Sequence, residues 1–470
     1  MAPSLATILV VLLVAAGYQQ YAKYFENTPC HKDPSISFSK WSGEAVEARS
    51  CDLFSSTYNE ARDKFRAALK PFGNIVEEIS IPIATDRGEA LTMDVAIFPG
   101  NTEKFGTFVH SSGMHGVEGY AGSAIQMALL QEGVLPLQDS ANRPTIVFIH
   151  AINPVGMREF RRCNEHNVDL NRNSIQDFPS FLESRDPNAA NYEDFRSFLS
   201  PTDDDDAVVL TRWYVNVGIW LTLLPKLFEH GFVALKRSMV AGQYHHPKGI
   251  FFGGQELQPS LKKLQEFMSS RPEIFADSPS LMWVDVHTGL GPLGKDGVHY
   301  HTASPPGNGP SPLPATAADM KTHVFSAAHS VTFSVAEQDT AEAFLGYDLS
   351  KGLLTEYLAE TYQGVGLFLA QEFGTLPAFL VGRGLILDNM LYQQHVQQNN
   401  AGKLNTDLSL DAYTSADGYY RSPWLGNVFY PQSTSWRSSI VKRGVVLTMQ
   451  TLELGRKLAH SQGSMQKHEL

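Results

Sequence analysis

Cysteine is scarce in this chain: three in 470 residues, at Cys30, Cys51 and Cys163. Three thiols cannot form a disulfide framework, and their number and spacing exclude a zinc site built on cysteine. Cys30 and Cys51 can pair in an oxidising compartment and tie down the N-terminal segment, or stay as two free thiols. Positive charge is also short. Lys and Arg total 37 against 49 Asp and Glu, a formal net charge of -12, with no Lys/Arg-rich run. That balance argues against a nucleic-acid surface. There is no H-E-x-x-H, no heptad, no internal repeat and no N-x-Ser/Thr acceptor. No G-x-S-x-G occurs, which removes the usual serine-hydrolase elbow; Ser111 and Ser112 remain a thin nucleophile alternative. Gly289, Gly291 and Gly294 match G-x-G-x-x-G, but Lys295 to Thr302 reads as loop where a dinucleotide site needs a helix.

What is present is ordinary globular composition, 43% hydrophobic and 18% charged. The N-terminus stands apart. Leu5 to Ala16 is apolar except for Thr7, shorter than the roughly 17–25 residues of a spanning helix. It suits a signal-peptide core, with Val14-Ala15-Ala16 as a small-residue cleavage site. Left uncleaved, it would be a membrane tether with Tyr18, Tyr21 and Tyr24 at the interface. The last four residues, Lys467-His468-Glu469-Leu470, resemble a retrieval signal of the endoplasmic reticulum that a receptor would read. The expected organisation is a signal or anchor over 1–24, an extension over 25–74, a catalytic domain over 75–458 and a tail over 459–470. The expected location is the secretory pathway, in or facing the lumen of the endoplasmic reticulum.

Within the long middle part, strands and helices alternate, which indicates an α/β core. Helical spacing appears over Asp52 to Leu69, Gly119 to Gln131, Phe379 to Gln398 and Val445 to Leu458. Strands are expected at Glu77 to Pro82, Ala90 to Phe98, Gly106 to Ser111, Thr145 to Ile149, Leu281 to His287 and Leu367 to Glu372. A turn at Asp86-Arg87-Gly88 would join the first two. Trp213 to Leu235 is apolar, but Pro225, Lys226, Glu229 and His230 break it, so a core or lid helix pair is expected rather than a membrane span.

Three strand ends carry chemistry. His115 and Glu118 follow one strand, His287 ends a second and Glu372 ends a third. Open α/β sheets gather their carboxyl ends at one edge. Two imidazoles and one carboxylate are a catalytic zinc set that leaves a fourth position open. Zinc lowers the pKa of water towards about 7, and a carboxylate that is not a ligand, here Glu372, can take the proton. His299 and His301 are rivals to His287 as the third ligand. Alternation places Asp285 and His287 on one sheet face.

Taken together, His115-Gly-Val-Glu118, Asn153-Pro-Val-Gly, Asn167-Val-Asp-Leu-Asn171-Arg172-Asn173, Asp285-Val-His287 and Gln371-Glu372 occur in the order found in zinc carboxypeptidases. The chain resembles that superfamily, which includes aspartoacylase and succinylglutamate desuccinylase, and looks like a poorly characterised branch of it. The likeness covers roughly Ile75 to Arg456. It implies a mixed, mostly parallel central sheet flanked by helices, and one Zn2+ per chain held by His115, Glu118 and His287. It makes Glu372 the general base and later the acid for the leaving amine. Asn171 and Arg172 would grip a substrate carboxylate, and Asp169 would orient His115 through its other ring nitrogen. The arginine that stabilises the oxyanion is Arg161 or Arg162, with Arg162 favoured. The long interval between Glu118 and His287 implies an inserted helical segment, about 178–254, over the cleft. Tyr347, Tyr357 and Tyr362 all compete for the family's substrate-covering tyrosine. The implied function is cleavage of an amide or peptide bond next to a free carboxylate, as in a carboxypeptidase. Deacylation of N-acyl amino acids is the alternative, and a non-catalytic, membrane-tethered binding protein is a third reading.

Overall fold

In a computed structural model of the chain, the described residues are 52–86, 88–131, 134–201, 210–305, 349–401 and 420–465, with 313, 320 and 334–335. The segment 1–24, expected to be a signal or anchor, lies outside them, as do Cys30, Cys51, Arg87 of the expected turn, Tyr347 and the four C-terminal residues.

The strands are β1 (Glu77–Asp86), β2 (Glu89–Phe98), β3 (Thr107–Ser112), β4 (Thr145–His150), β5 (Ser280–Gly289), β6 (Asp296–Ala303), β7 (Ser334–Val335) and β8 (Val365–Gly374). They form one sheet in the order β1-β2-β4-β3-β5-β8-β6-β7. The four central strands, β4-β3-β5-β8, are mutually parallel. Around them β1 pairs with β2, β2 with β4 and β6 with β8 antiparallel, while the short β7 runs parallel to β6. The sheet is thus mixed with a parallel centre. Central strands are covered on both faces, and their sequences are near-continuous apolar runs for that reason.

The helices that matter here are α1 (Tyr58–Leu69), α2 (Gly119–Leu129), α3 (Pro154–Glu159), α4 (Ile219–Val240), α5 (Pro259–Ser269), α6 (Leu354–Thr361), α7 (Ala378–Ala401) and α8 (Thr434–Met465), with further short ones at Thr102–Phe105, Phe178–Ser184, Tyr192–Leu199 and Leu425–Phe429. Successive strand residues supply opposite layers. Phe108, Phe148, Val284 and Leu367 share one core with Phe65 of α1, Ile125 of α2 and Val441 of α8. Val109, Val147, Trp283 and Phe368 share the other with Leu261 of α5 and Leu358 of α6.

One sequence expectation fails here. Lys295 to Thr302 is not loop: it is largely β6, paired antiparallel with β8. Asp296, Val298 and Tyr300 are buried on one side. Gly297, His299 and His301 occupy the other, and their polarity hid the alternation. The segment 213–235 does hold the expected helix pair. A π-helical turn at Tyr214–Gly218 leads into α4, which is divided at Gly231 by a positive φ of 81°, while Pro225 stays inside the helix. No helix among the described residues is long and apolar enough to cross a membrane.

The loop between β3 and α2 depends on backbone contact. A Cβ at Gly116 would lie 2.0 Å from the carbonyl carbon of Gly156 and 2.2 Å from the nitrogen of Met157. Backbone cannot step aside as a side-chain tip can. Replacing Gly116 by Ala is expected to cost about 1–3 kcal/mol or more, read as a lowered midpoint in denaturant unfolding. An unchanged midpoint would show that the two loops do not need this approach.

Candidate metal centre

Strands β3, β5 and β8 are neighbours, and their carboxyl ends open on the same edge. Register places His287 directly beside Glu372 and Ser112 beside Val286. The chain leaves β3 at Ser112 and turns through Gly113, whose φ of 74° suits glycine. It enters α2 with His115 and Glu118 in the intervening loop. That loop is pinned to the next one: Gly116 and Val117 donate to the carbonyls of Arg162 and Arg161. Asn153 caps α3 by accepting from Gly156 N–H, and Pro154 supplies the first helical position.

His115, Glu118 and His287, all buried, bring one ligand atom each to within 4.8 Å of the others. His115 Nδ1 lies 3.0 Å from Glu118 Oε1. His287 Nδ1 lies 3.3 Å from Glu118 Oε2 and 3.2 Å from His115 Nδ1. Ligand atoms about 2.0–2.1 Å from a tetrahedral Zn2+ stand about 3.3 Å apart, so the spacing fits. The outer ring nitrogens are held by carboxylates: His115 Nε2 by Asp169 Oδ1 at 3.0 Å, and His287 Nε2 by Asp285 Oδ2 at 2.7 Å. A carboxylate accepts only, so each outer nitrogen carries a hydrogen, and each Nδ1 offers a lone pair inward once it holds no proton.

The electrostatics make the same demand. Burial alone would lower His287, but Asp285 and Glu118 raise it to about 10. Burial would raise Glu118 and Asp169. The two histidines and Arg162 instead hold Glu118 well below the usual carboxylate range, and Arg162 and His115 do the same for Asp169. Of the three buried acids here, Glu118 and Asp169 share the Arg162 guanidinium, while Asp285 is paired with His287. The cluster therefore attracts a cation, and a divalent ion would displace a proton to enter.

Glu372 stands at the edge of this cluster. Its Oε1 accepts from Leu290 N–H at 2.9 Å. Desolvation and the nearby Glu118 raise its carboxyl. Gly289 leaves room for it, since a Cβ there would lie 3.2 Å from Glu372 Oε1. The two arginines separate cleanly. Arg162 donates to Glu118 Oε1 at 2.9 Å and to Asp169 Oδ2 at 3.0 Å, and it lines the cavity beside the site. Arg161 is buried against Asp388, at 3.1 Å, and stacks on Tyr392. Asn171 and Arg172 also border the cavity. Asn171 Oδ1 accepts from Leu354 N–H at 3.0 Å, and the Arg172 guanidinium donates to the carbonyls of Val240 and Asn171. Asp169 pairs with Arg162 and His115 and accepts from Asn171 N–H, while Arg172 helps to lower its carboxyl through its charge.

His299 and His301 line the same cavity but are not in the three-residue cluster. Ser111 is no nucleophile: it is buried, donates to Asp285 Oδ1 at 2.6 Å and accepts from Trp283 Nε1 at 2.7 Å. Ser112 is buried against Gly122, and its Oγ has no hydrogen-bond partner among the described residues. Tyr362 is turned away, donating to the Ser278 carbonyl.

The relay Trp283–Ser111–Asp285–His287 went unassigned at the level of sequence. Its one signal was the period-two spacing of Asp285 and His287. Replacing Asp285 by Asn would place an amide where the Nε2–H needs an acceptor charge. Zinc affinity, measured by chelator competition, is expected to fall about 10–100-fold. Unchanged affinity would mean that Asp285 does not tune the site.

Among solved structures, the chain is similar to carboxypeptidase A from Helicoverpa armigera, with 11% identity and a TM-score of 0.44 over 94% of this chain and 81% of that one. It is similar to bovine thrombin-activatable fibrinolysis inhibitor, with 11% identity and a TM-score of 0.37 over 74% and 98%. It is also similar to a metallo-carboxypeptidase from Burkholderia cenocepacia, with 11% identity and a TM-score of 0.33 over 73% and 69%. No curated protein sequence matches the chain significantly. A family model described as "Protein of unknown function (DUF2817)" matches residues 54–443, and the chain belongs to that family.

Proposed function

We propose that the protein is a zinc-dependent hydrolase of an amide or peptide bond, of metallo-carboxypeptidase type, with His115, Glu118 and His287 as the metal ligands. One observation carries this reading. Two inward Nδ1 atoms and a buried carboxylate converge at the spacing of a tetrahedral ion, with Glu372 beside them. When bound, zinc would polarise the substrate carbonyl and acidify water.

The chain's own groups supply the rest. Glu372 Oε1 is held by Leu290 N–H, which leaves Oε2 to receive a proton from the attacking water. The water oxygen bonds to the carbonyl carbon, the C–N bond breaks, and Glu372 returns the proton to the leaving nitrogen. Its raised carboxyl suits that second role. Arg162 lies close enough to Glu118 to place positive charge where the carbonyl oxygen becomes negative. Asn171 and Arg172, where the resemblance put the grip on a substrate carboxylate, border the cavity and are already bonded to backbone groups. An N-acyl amino acid deacylase uses the same chemistry and differs in the group released.

A panel of short peptides and N-acyl amino acids, assayed with and without chelator, tests the reading. Purified protein is expected to carry one zinc per chain, and the His115→Ala variant none. Glu372→Gln is expected to keep the metal and lose about 10²–10⁴-fold in kcat. Metal-free native protein would support a binding role in place of catalysis.

A further inference from the structure

The cavity beside the metal centre has a volume of about 540 Å³, in the range of small-ligand sites. His115, His287, Arg162 and Glu372 border it on one side. Elsewhere its wall is largely hydrocarbon. Trp220, Leu223, Leu227 and Met239 of α4 face into it. Phe232 and Phe379 also line it and remain 50% and 38% exposed, so the apolar surface continues to the outside. Trp220 and Phe379 meet edge to face at 6.1 Å, joining the α4 wall to α7.

The carboxylate clamp expected at Arg172 is built into the scaffold. Arg172 is only 1% exposed. Its Nε donates to Val240 O at 3.0 Å, its Nη2 donates to the same carbonyl, and its Nη1 donates to Asn171 O at 2.7 Å. Gly242 lets the stem pass, since a Cβ there would lie 2.8 Å from Arg172 Cδ. Three of the five guanidinium N–H groups are thus given to backbone carbonyls, one of them at the end of α4. Of the other cations on the wall, Lys351 pairs with Glu356 and Arg383 donates to Val215 O, while burial lowers the ammonium of Lys236.

We infer that the cavity takes one long hydrocarbon chain carried by the scissile amide, so that the substrate is a fatty acyl amide anchored by its chain and not by a carboxylate. This rests on the hydrolase reading above and narrows its substrate class. Each buried methylene strengthens binding by about fourfold, so chain length dominates recognition.

The test uses zinc-loaded full-length protein with N-acetyl-, N-octanoyl- and N-dodecanoyl-glycine, and with N-dodecanoyl-glycinamide, which lacks the carboxylate. From acetyl to octanoyl, kcat/KM is expected to rise at least about tenfold. Removing the carboxylate is expected to change it less than about threefold. A flat chain-length series, or a loss of about tenfold or more on removing the carboxylate, overturns the inference. Calorimetric binding of the same ligands to Glu372→Gln reads the cavity without turnover, so failure of the hydrolase reading is seen separately. There, dodecanoyl binding no tighter than acetyl overturns the proposal. Leu227→Gln is expected to flatten the series. Phe228→Ser, at a residue 86% exposed and not on the cavity wall, is expected to preserve it.

Discussion

The site depends on a shortage of positive charge in a closed space. Glu118, Asp169 and Asp285 are buried together with two histidines, and one guanidinium touches the first two of these acids. The histidines cannot relieve the imbalance by rotating, because Asp169 and Asp285 hold their outer nitrogens. What is left is a pocket of inward lone pairs that only a proton or a metal can fill. Burial, which ordinarily drives charges out of proteins, here fixes where one must go.

Everything around that pocket keeps its parts from moving. Asp285 and His287 sit on β5, the strand with a neighbour on each side at the parallel centre. Trp283 and Ser111 brace Asp285 from within the sheet. Glu118 is held by Thr288 N–H at 2.9 Å, so the ligand from the β3 loop is tied to the strand that carries His287. Glycines allow the loops to touch backbone to backbone, which no larger residue would permit at Gly116. The result is a constellation held in place by its own hydrogen bonds and strand pairings.

The segment that carries α4 gives the cavity an apolar wall, and the Val240 carbonyl at its end accepts from Arg172. One residue type thus serves two purposes in related sequence positions. Arg162 stands at the metal ligands, whereas Arg172 holds the end of α4 in place. Exposed Trp213, Leu221, Phe228 and Val233 on the same segment show that its outer face is apolar too.

The sequence alone determined the parallel strands and the identity of the cluster. Continuous apolar runs mark buried strands, and His115, Glu118, His287 and Glu372 all fall at strand ends, where an α/β sheet must collect them. Asp169 was legible by its place in a motif, and Asp285 by its spacing alone. Strand β6 was not legible, because burial on one side of a glycine- and histidine-rich segment leaves no hydrophobic pattern to see. Nor could sequence choose between Arg161 and Arg162. Adjacent residues point different ways, and only packing shows that Asp388 claims the first. The occupation of Arg172 by the Val240 carbonyl likewise joins residues 68 apart in the chain. Local pattern reports which face a side chain takes; which partner it meets there is decided by the tertiary structure, because that partner comes from a distant segment.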